Sequence, residues 1–227
     1  MIPNRQFRSP NFDPIQIPVE FLVLHYTAEN LQSTLEIFMD TSRKVSSHLV
    51  IDQDGQVYEL VECLDGFTQR AWHAGQSNWF ENGAQWEQFN DFSIGIEIVN
   101  LNGNLLPFTP QQYDALKAVT SHLRMYYPAL NSPQRVVGHE QIAGWRGKVD
   151  PGIFFNWQHY YQQNYGEIDF PVRENTCRPE IADSCQRMVD AFPQDTPLPP
   201  KFWRAISHAM ETTHRLIHEQ SNEGKDS

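Results

Sequence analysis

Residues 21–27 read Phe21-Leu22-Val23-Leu24-His25-Tyr26-Thr27. Four consecutive apolar residues without polar alternation mark a strand buried on both faces, and the run closes on a histidine. Downstream, Leu31, Leu35 and Phe38 recur at spacings of three and four, which predicts a helix. Residues 47–51 and 56–61 then flank Asp52-Gln53-Asp54-Gly55, a strand, turn, strand pattern that predicts a β-hairpin. Residues 74–90 carry no period and read as a long loop, a kind of segment that commonly bears function. In Phe92-Ser93-Ile94-Gly95-Ile96-Glu97-Ile98-Val99 the three isoleucines fall on one strand face, with Ser93, Gly95 and Glu97 on the other.

Thr109-Pro110-Gln111-Gln112 has an N-cap threonine, proline at the first helical position and glutamine at N3, so a helix starts there. Its apolar face is expected to comprise Tyr113, Leu116, Val119, Leu123 and Tyr126, with Pro128 ending it. Residues 136–139 read as another short strand and 157–161 as a helical turn or two. Strands and helices interleave, so the core is α/β with a mixed sheet flanked by helices. Beyond residue 164 the texture changes. Ile181, Cys185, Met188, Val189 and Phe192 have helical spacing, and Phe202, Ile206, Met210, Thr213 and Ile217 predict a longer amphipathic helix. The division expected is therefore 1–164 for the α/β core and 165–227 for a helical extension, with the last seven residues frayed.

The chain has 227 residues, enough for a substantial core, and 40% hydrophobic content argues against disorder. A net charge of −11 without any basic block excludes non-specific binding to nucleic acid or an anionic membrane. No segment reaches the roughly 20 apolar residues of a membrane span. Residues 1–20 hold no apolar stretch of signal-peptide length, so the expected compartment is the cytoplasm, or the periplasm if a leader has been removed. Cys63, Cys177 and Cys185 form no CxxC pair and are expected as buried thiols, although a Cys177–Cys185 bridge is open.

His25 and His139 each close a strand, and Asp150 follows eleven residues after His139. Two imidazoles and one carboxylate make a sound zinc set that leaves the fourth tetrahedral position to water. Glu97 shares its strand face with side-chain-free Gly95, where a carboxylate could accept and deliver a proton. Lys148 precedes Asp150 by two residues and, in an extended segment, projects to the same side, where it could face an oxyanion. Each residue taken singly also has an ordinary reading: a packed histidine, a solvated glutamate, a surface lysine.

Six strings occur in order: Val23-Leu24-His25-Tyr26-Thr27, Val45-Ser46-Ser47-His48-Leu49-Val50-Ile51, Arg70-Ala71-Trp72-His73-Ala74-Gly75, Phe92-Ser93-Ile94-Gly95-Ile96-Glu97, Val137-Gly138-His139-Glu140 and Lys148-Val149-Asp150-Pro151-Gly152. Over about residues 20–162 the chain resembles the zinc-dependent N-acetylmuramoyl-L-alanine amidases of the amidase-2 family, the AmpD and AmiD group. The resemblance implies zinc held by His25, His139 and Asp150, Glu97 activating water, and Lys148 stabilising the oxyanion. It implies hydrolysis of the amide between N-acetylmuramic acid and L-alanine, on peptidoglycan or a muropeptide. With all five positions present, it points to the catalytic branch of the family and not to its metal-free recognition proteins. His73, Trp72 and His48 lie in family-like strings outside the ligand set and are candidates for substrate binding. Trp79 could stack on a sugar or simply pack. His122, His208, His214 and His218 are expected to be solvated. Two alternatives stay open: a peptidoglycan-binding protein without catalysis, and a zinc hydrolase of the same fold acting on another amide. The extension shows no motif of the family's wall-binding module.

Overall fold

The apolar run at residues 21–24 lies inside a sheet, as its unbroken hydrophobicity requires. In the computed structural model, which describes residues 2–223 except 82, 167–168 and 194–196, the elements follow in chain order. They are β1 (Phe12–Gln16), β2 (Phe21–Tyr26), α1 (Leu31–Met39), β3 (Leu49–Ile51), β4 (Val57–Glu59), β5 (Gln69–Ala71), β6 (Asn78–Glu81), β7 (Ala84–Glu87), β8 (Ser93–Ile98), α2 (Pro110–Tyr126), β9 (Val136–Gly138), α3 (His139–Ala143), α4 (Trp157–Tyr165), α5 (Pro179–Asp190) and α6 (Pro200–Glu223). A five-stranded mixed sheet has the order β4-β3-β8-β2-β9. β3, β8, β2 and β9 run parallel, and β4 closes the hairpin antiparallel to β3.

Both faces of β2 are covered. Leu22, Leu24 and Tyr26 join Ile94, Ile96 and Ile98 of β8 in a core that includes Leu116 and Val119 of α2 and Tyr160 and Tyr161 of α4. Phe21 and Val23 face the other way, onto Phe89, Val137 and Ile142. α2 begins as its sequence demands. Thr109 Oγ1 accepts from the Gln112 N–H, and Gln112 Oε1 accepts from the Thr109 N–H. Tyr126, expected on the buried face, is 46% exposed. Tyr127 is buried instead, and its hydroxyl donates to the Cys63 carbonyl.

The stretch at 74–90 is more ordered than its lack of period suggests. β6 and β7 form a small antiparallel hairpin with Trp79 opposite Trp86. Both indoles pack edge-on against Phe21, at 5.8 and 5.0 Å between ring centroids. Four-residue strands are too short for a period to declare itself, and here aromatic packing supplies the anchor.

The extension packs on the core. Cys177, Ala182, Cys185, Trp203, Ile206 and Met210 share an apolar cluster with Leu105 and Val149, and all three cysteines are buried free thiols. The buried stripe of α6 runs through Trp203, Ile206, Met210 and His214, one position off the expected Thr213. His214 is thus buried rather than solvated. His122 is half-buried, its Nε2 donating to the Leu64 carbonyl at 2.8 Å. Of the tail expected to fray, residues 221–223 continue α6 and 224–227 lie outside the described residues. None of the described helices is long and apolar enough to cross a membrane.

Candidate active site

Parallel pairing sets the site at the carboxyl ends of three adjacent strands. Phe21 pairs with Ser93, Val23 with Gly95 and His25 with Glu97, while Leu24 pairs with Gly138 on the other side. His139, the next residue, therefore arrives beside His25. Crevices at the carboxyl ends of parallel strands are where such sheets place ligands.

The third group comes from the loop after α3. Val149 is fully buried, its carbonyl accepts from Asn104 Nδ2, and Lys148 and Asp150 on either side of it both line one cavity of about 340 Å³. The same cavity is lined by His25, His73, Glu97 and His139. The Asp150 carbonyl accepts from the Glu140 N–H at 2.9 Å, tying this loop to the start of α3.

His25, His139 and Asp150 are the three groups that, among the described residues, could hold a metal ion together. His25 Nδ1 stands 3.1 Å from His139 Nδ1 and 2.9 Å from Asp150 Oδ2, and His139 Nδ1 stands 3.1 Å from that oxygen. Donors sharing one tetrahedral ion at about 2.0–2.1 Å stand about 3.3 Å apart, so the convergence fits. The protons fit too. His139 Nε2 lies 3.1 Å from the Ala74 carbonyl, which only accepts, so the ring's proton sits on Nε2 and Nδ1 offers a lone pair to the site. Burial lowers the His25 imidazole to about 4, outweighing the attraction of Asp150, so that ring is neutral at pH 7.

Glu97 is the reverse case. Burial, reinforced by Asp150 and opposed by Lys148, pushes it up to about 8. Its Oε2 is buried and has no hydrogen-bond partner among the described residues. An orphaned buried carboxylate oxygen in a cavity is poised to take a proton. The Lys148 ammonium donates to Glu211 Oε1 at 2.7 Å. Burial lowers Lys148, but Glu211 and Asp150 outweigh it and keep the group charged.

The three expected substrate contacts separate. His73 lines the cavity, is 6% exposed, and has both ring nitrogens engaged, Nδ1 with His25 and Nε2 with Ser93. His48 is 0% exposed. Its Nδ1 accepts from the Gly95 N–H and its Nε2 donates to the Gln69 carbonyl, so it sits behind the sheet's ligand face and not on the cavity. Trp72 donates from Nε1 to Asp13 Oδ2 and does not line the cavity. Several contributors were not singled out from the sequence. Asn90 Oδ1 accepts from the N–H groups of both His73 and Ala74, Arg146 donates to the Ala74 carbonyl, and α6 supplies Arg204, Ser207 and Glu211 to the cavity, beside His208, which is exposed as expected but lies on the cavity wall. Ser93 alone carried a signal, as it alternates with Gly95 and Glu97.

The family profile described as N-acetylmuramoyl-L-alanine amidase matches residues 16–153, the span that contains every one of these strand-end groups. The chain belongs to this family. Its activity is that of an amidohydrolase acting on the bond between N-acetylmuramic acid and L-alanine in cell-wall recycling. It is 35% identical over 176 residues to the 1,6-anhydro-N-acetylmuramyl-L-alanine amidase AmpD of Haemophilus influenzae, covering 69% of this chain and 89% of that protein. With AmpD of Salmonella typhimurium it shares 41% identity over 117 residues, 52% of this chain and 56% of the relative's length. Among solved structures it is similar to the amidase AmiD of Escherichia coli in complex with the substrate anhydro-N-acetylmuramic acid-L-Ala-D-gamma-Glu-L-Lys. That match has a TM-score of 0.55 and 30% identity over 86% of this chain and 70% of that one.

Proposed function

We propose that the chain hydrolyses a muropeptide, with His25, His139 and Asp150 holding zinc, Glu97 as proton shuttle and Lys148 as oxyanion partner. The observation that carries the reading is the convergence of two imidazole lone pairs and one carboxylate oxygen beside an unpartnered Glu97 oxygen. Zinc, when bound, supplies Lewis acidity that polarises a carbonyl and lowers the pKa of water toward about 7. Glu97 takes the proton of the attacking water and passes it to the amine nitrogen of the departing L-alanine. The Lys148 ammonium, held by Glu211, faces the oxygen on which charge accumulates. The similarity to AmpD, and to AmiD bound to an anhydromuramyl peptide, supports an anhydro-muropeptide as the substrate. Residues 1–164 would carry the catalytic groups, and residues 165–227 an extension whose α6 walls one side of the cavity.

The test is incubation with a defined anhydro-muropeptide, with and without a chelator, followed by mass spectrometry. Chelator-sensitive release of a free peptide beginning at L-alanine is expected. No cleavage by folded, zinc-loaded protein would overturn the reading in favour of a binding protein, and cleavage at another bond in favour of a different amidase.

A further inference from the structure

A histidine ring binds a metal through Nδ1 only if its single proton sits on Nε2. For His139 the Ala74 carbonyl settles this. For His25 no carbonyl does: Nε2 faces the Nδ1 of another imidazole, His73, at 3.2 Å. The direction of that bond follows from further back in the chain. The Ser93 hydroxyl lies 2.5 Å from the Phe89 carbonyl, which can only accept, so its one hydrogen points there. Ser93 Oγ then has only lone pairs for His73 Nε2, 3.2 Å away, and a His73 proton on Nε2 satisfies that contact. Were it on Nδ1, two lone pairs would face each other at that distance. His73 Nδ1 is therefore bare, accepts from His25 Nε2–H, and leaves His25 Nδ1 free of a proton.

This relay opposes a competing bond. Asp150 Oδ2 lies 2.9 Å from His25 Nδ1 and draws the His25 proton toward that atom. We infer that His73, oriented by Ser93, is a positioning residue that holds His25 in its metal-binding tautomer against the pull of Asp150. The fold holds the ring in place for it. A Cβ on Gly95 would come within 2.4 Å of His73 Cγ and 2.6 Å of its Nδ1, so only glycine leaves room there. His48, itself fixed by the Gly95 N–H and the Gln69 carbonyl, closes on the ring at 5.5 Å between centroids. The inference rests on the zinc reading above for its consequence, though not for the hydrogen-bond direction.

Two measurements test it. In zinc-free protein, the ring ¹⁵N shifts of His25 report its tautomer: proton on Nε2 in wild type, moved to Nδ1 in His73→Leu, and kept on Nε2 in His73→Asn, whose amide oxygen can accept near the Nδ1 position. In competition against a chromophoric chelator, zinc affinity should fall about 10–100-fold in His73→Leu, the usual cost of losing such a partner, and only a few-fold in His73→Asn. Ser93→Ala, a milder change, should fall between them. A folded His73→Leu with unchanged tautomer and zinc affinity would overturn the inference, as would a folded His73→Asn no better than leucine. If wild type takes up no zinc, the metal reading fails, and the tautomer in zinc-free protein still judges the relay by itself.

Discussion

Lys148 Nζ donates to Glu211 Oε1 at 2.7 Å across 63 residues of sequence, joining a loop of the family region to a helix of the extension. A second bridge reinforces it: Arg204 of α6 forms a two-pronged pair with Glu29, in the turn after β2. The extension is thereby part of the cavity wall and not an appendage.

Removing the first bridge should loosen the lysine without touching the proposed metal ligands. Glu211→Ala is expected to lower kcat about 10–100-fold, since a misplacement of about 1 Å can cost about 10²-fold. Zinc content measured by atomic emission should stay at wild-type level. Unchanged kcat would mean that Lys148 is positioned by its loop alone.

Glu97 and His139 should part company. Glu97→Ala is expected to keep its zinc and lose activity by at least about 10²-fold, the scale of losing a catalytic proton transfer. His139→Ala should lose both, because the lone pair fixed by the Ala74 carbonyl points at the proposed metal position. Metal content measured beside turnover separates the two roles.

The pH–rate profile should carry the mark of Glu97's surroundings. The form that accepts a proton is the carboxylate, so kcat/KM rises with pH through its ionisation. Burial and Asp150 push that ionisation up to about 8, and a bound cation draws it back toward the ordinary 4.5, so the acid limb should lie between these values. Lys148 pulls it down as well. In the residual activity of Lys148→Met the acid limb should therefore move to higher pH.

His48 predicts a different pH effect, on stability. Burial lowers its folded value to about 4 against 6.5 for the free side chain. Above pH 6.5 the ring is neutral in both states and its contribution is complete. As pH falls from 6.5 toward 4 the unfolded chain gains a proton that the folded one refuses, costing at most about 3 kcal/mol. Urea unfolding of His48→Asn should start less stable at pH 7.5, through loss of the bond to Gln69, and lose less on acidification.

Gly95→Ala should reproduce in part the effect of disturbing His73. The added methyl meets the base of the imidazole rather than a mobile tip, so the ring must shift. Weaker zinc binding with the sheet intact by circular dichroism is expected.

Much of this protein was legible along the chain. The buried strand at 21–24, the capping box at 109–112, the Asp-Gly hairpin and the shared direction of Lys148 and Asp150 depend on residues within one turn or two pleats of one another. Their periods and turn chemistry are written locally. The ordered motif strings likewise pointed to His25, His139, Asp150, Glu97 and Lys148. What lay beyond reach depends on which segments become neighbours. Strand register brings His139 to His25 across 114 residues, a buried stripe one position off the expected one turns Glu211 toward Lys148, and two indoles on Phe21 order a hairpin with no period. The direction of the proton on His25 is more distant still, set by a serine hydroxyl and a carbonyl two residues removed in space. Periodicity records only how a segment meets its own surroundings. Hydrogen-bond direction belongs to the assembled network, and only the folded chain decides it.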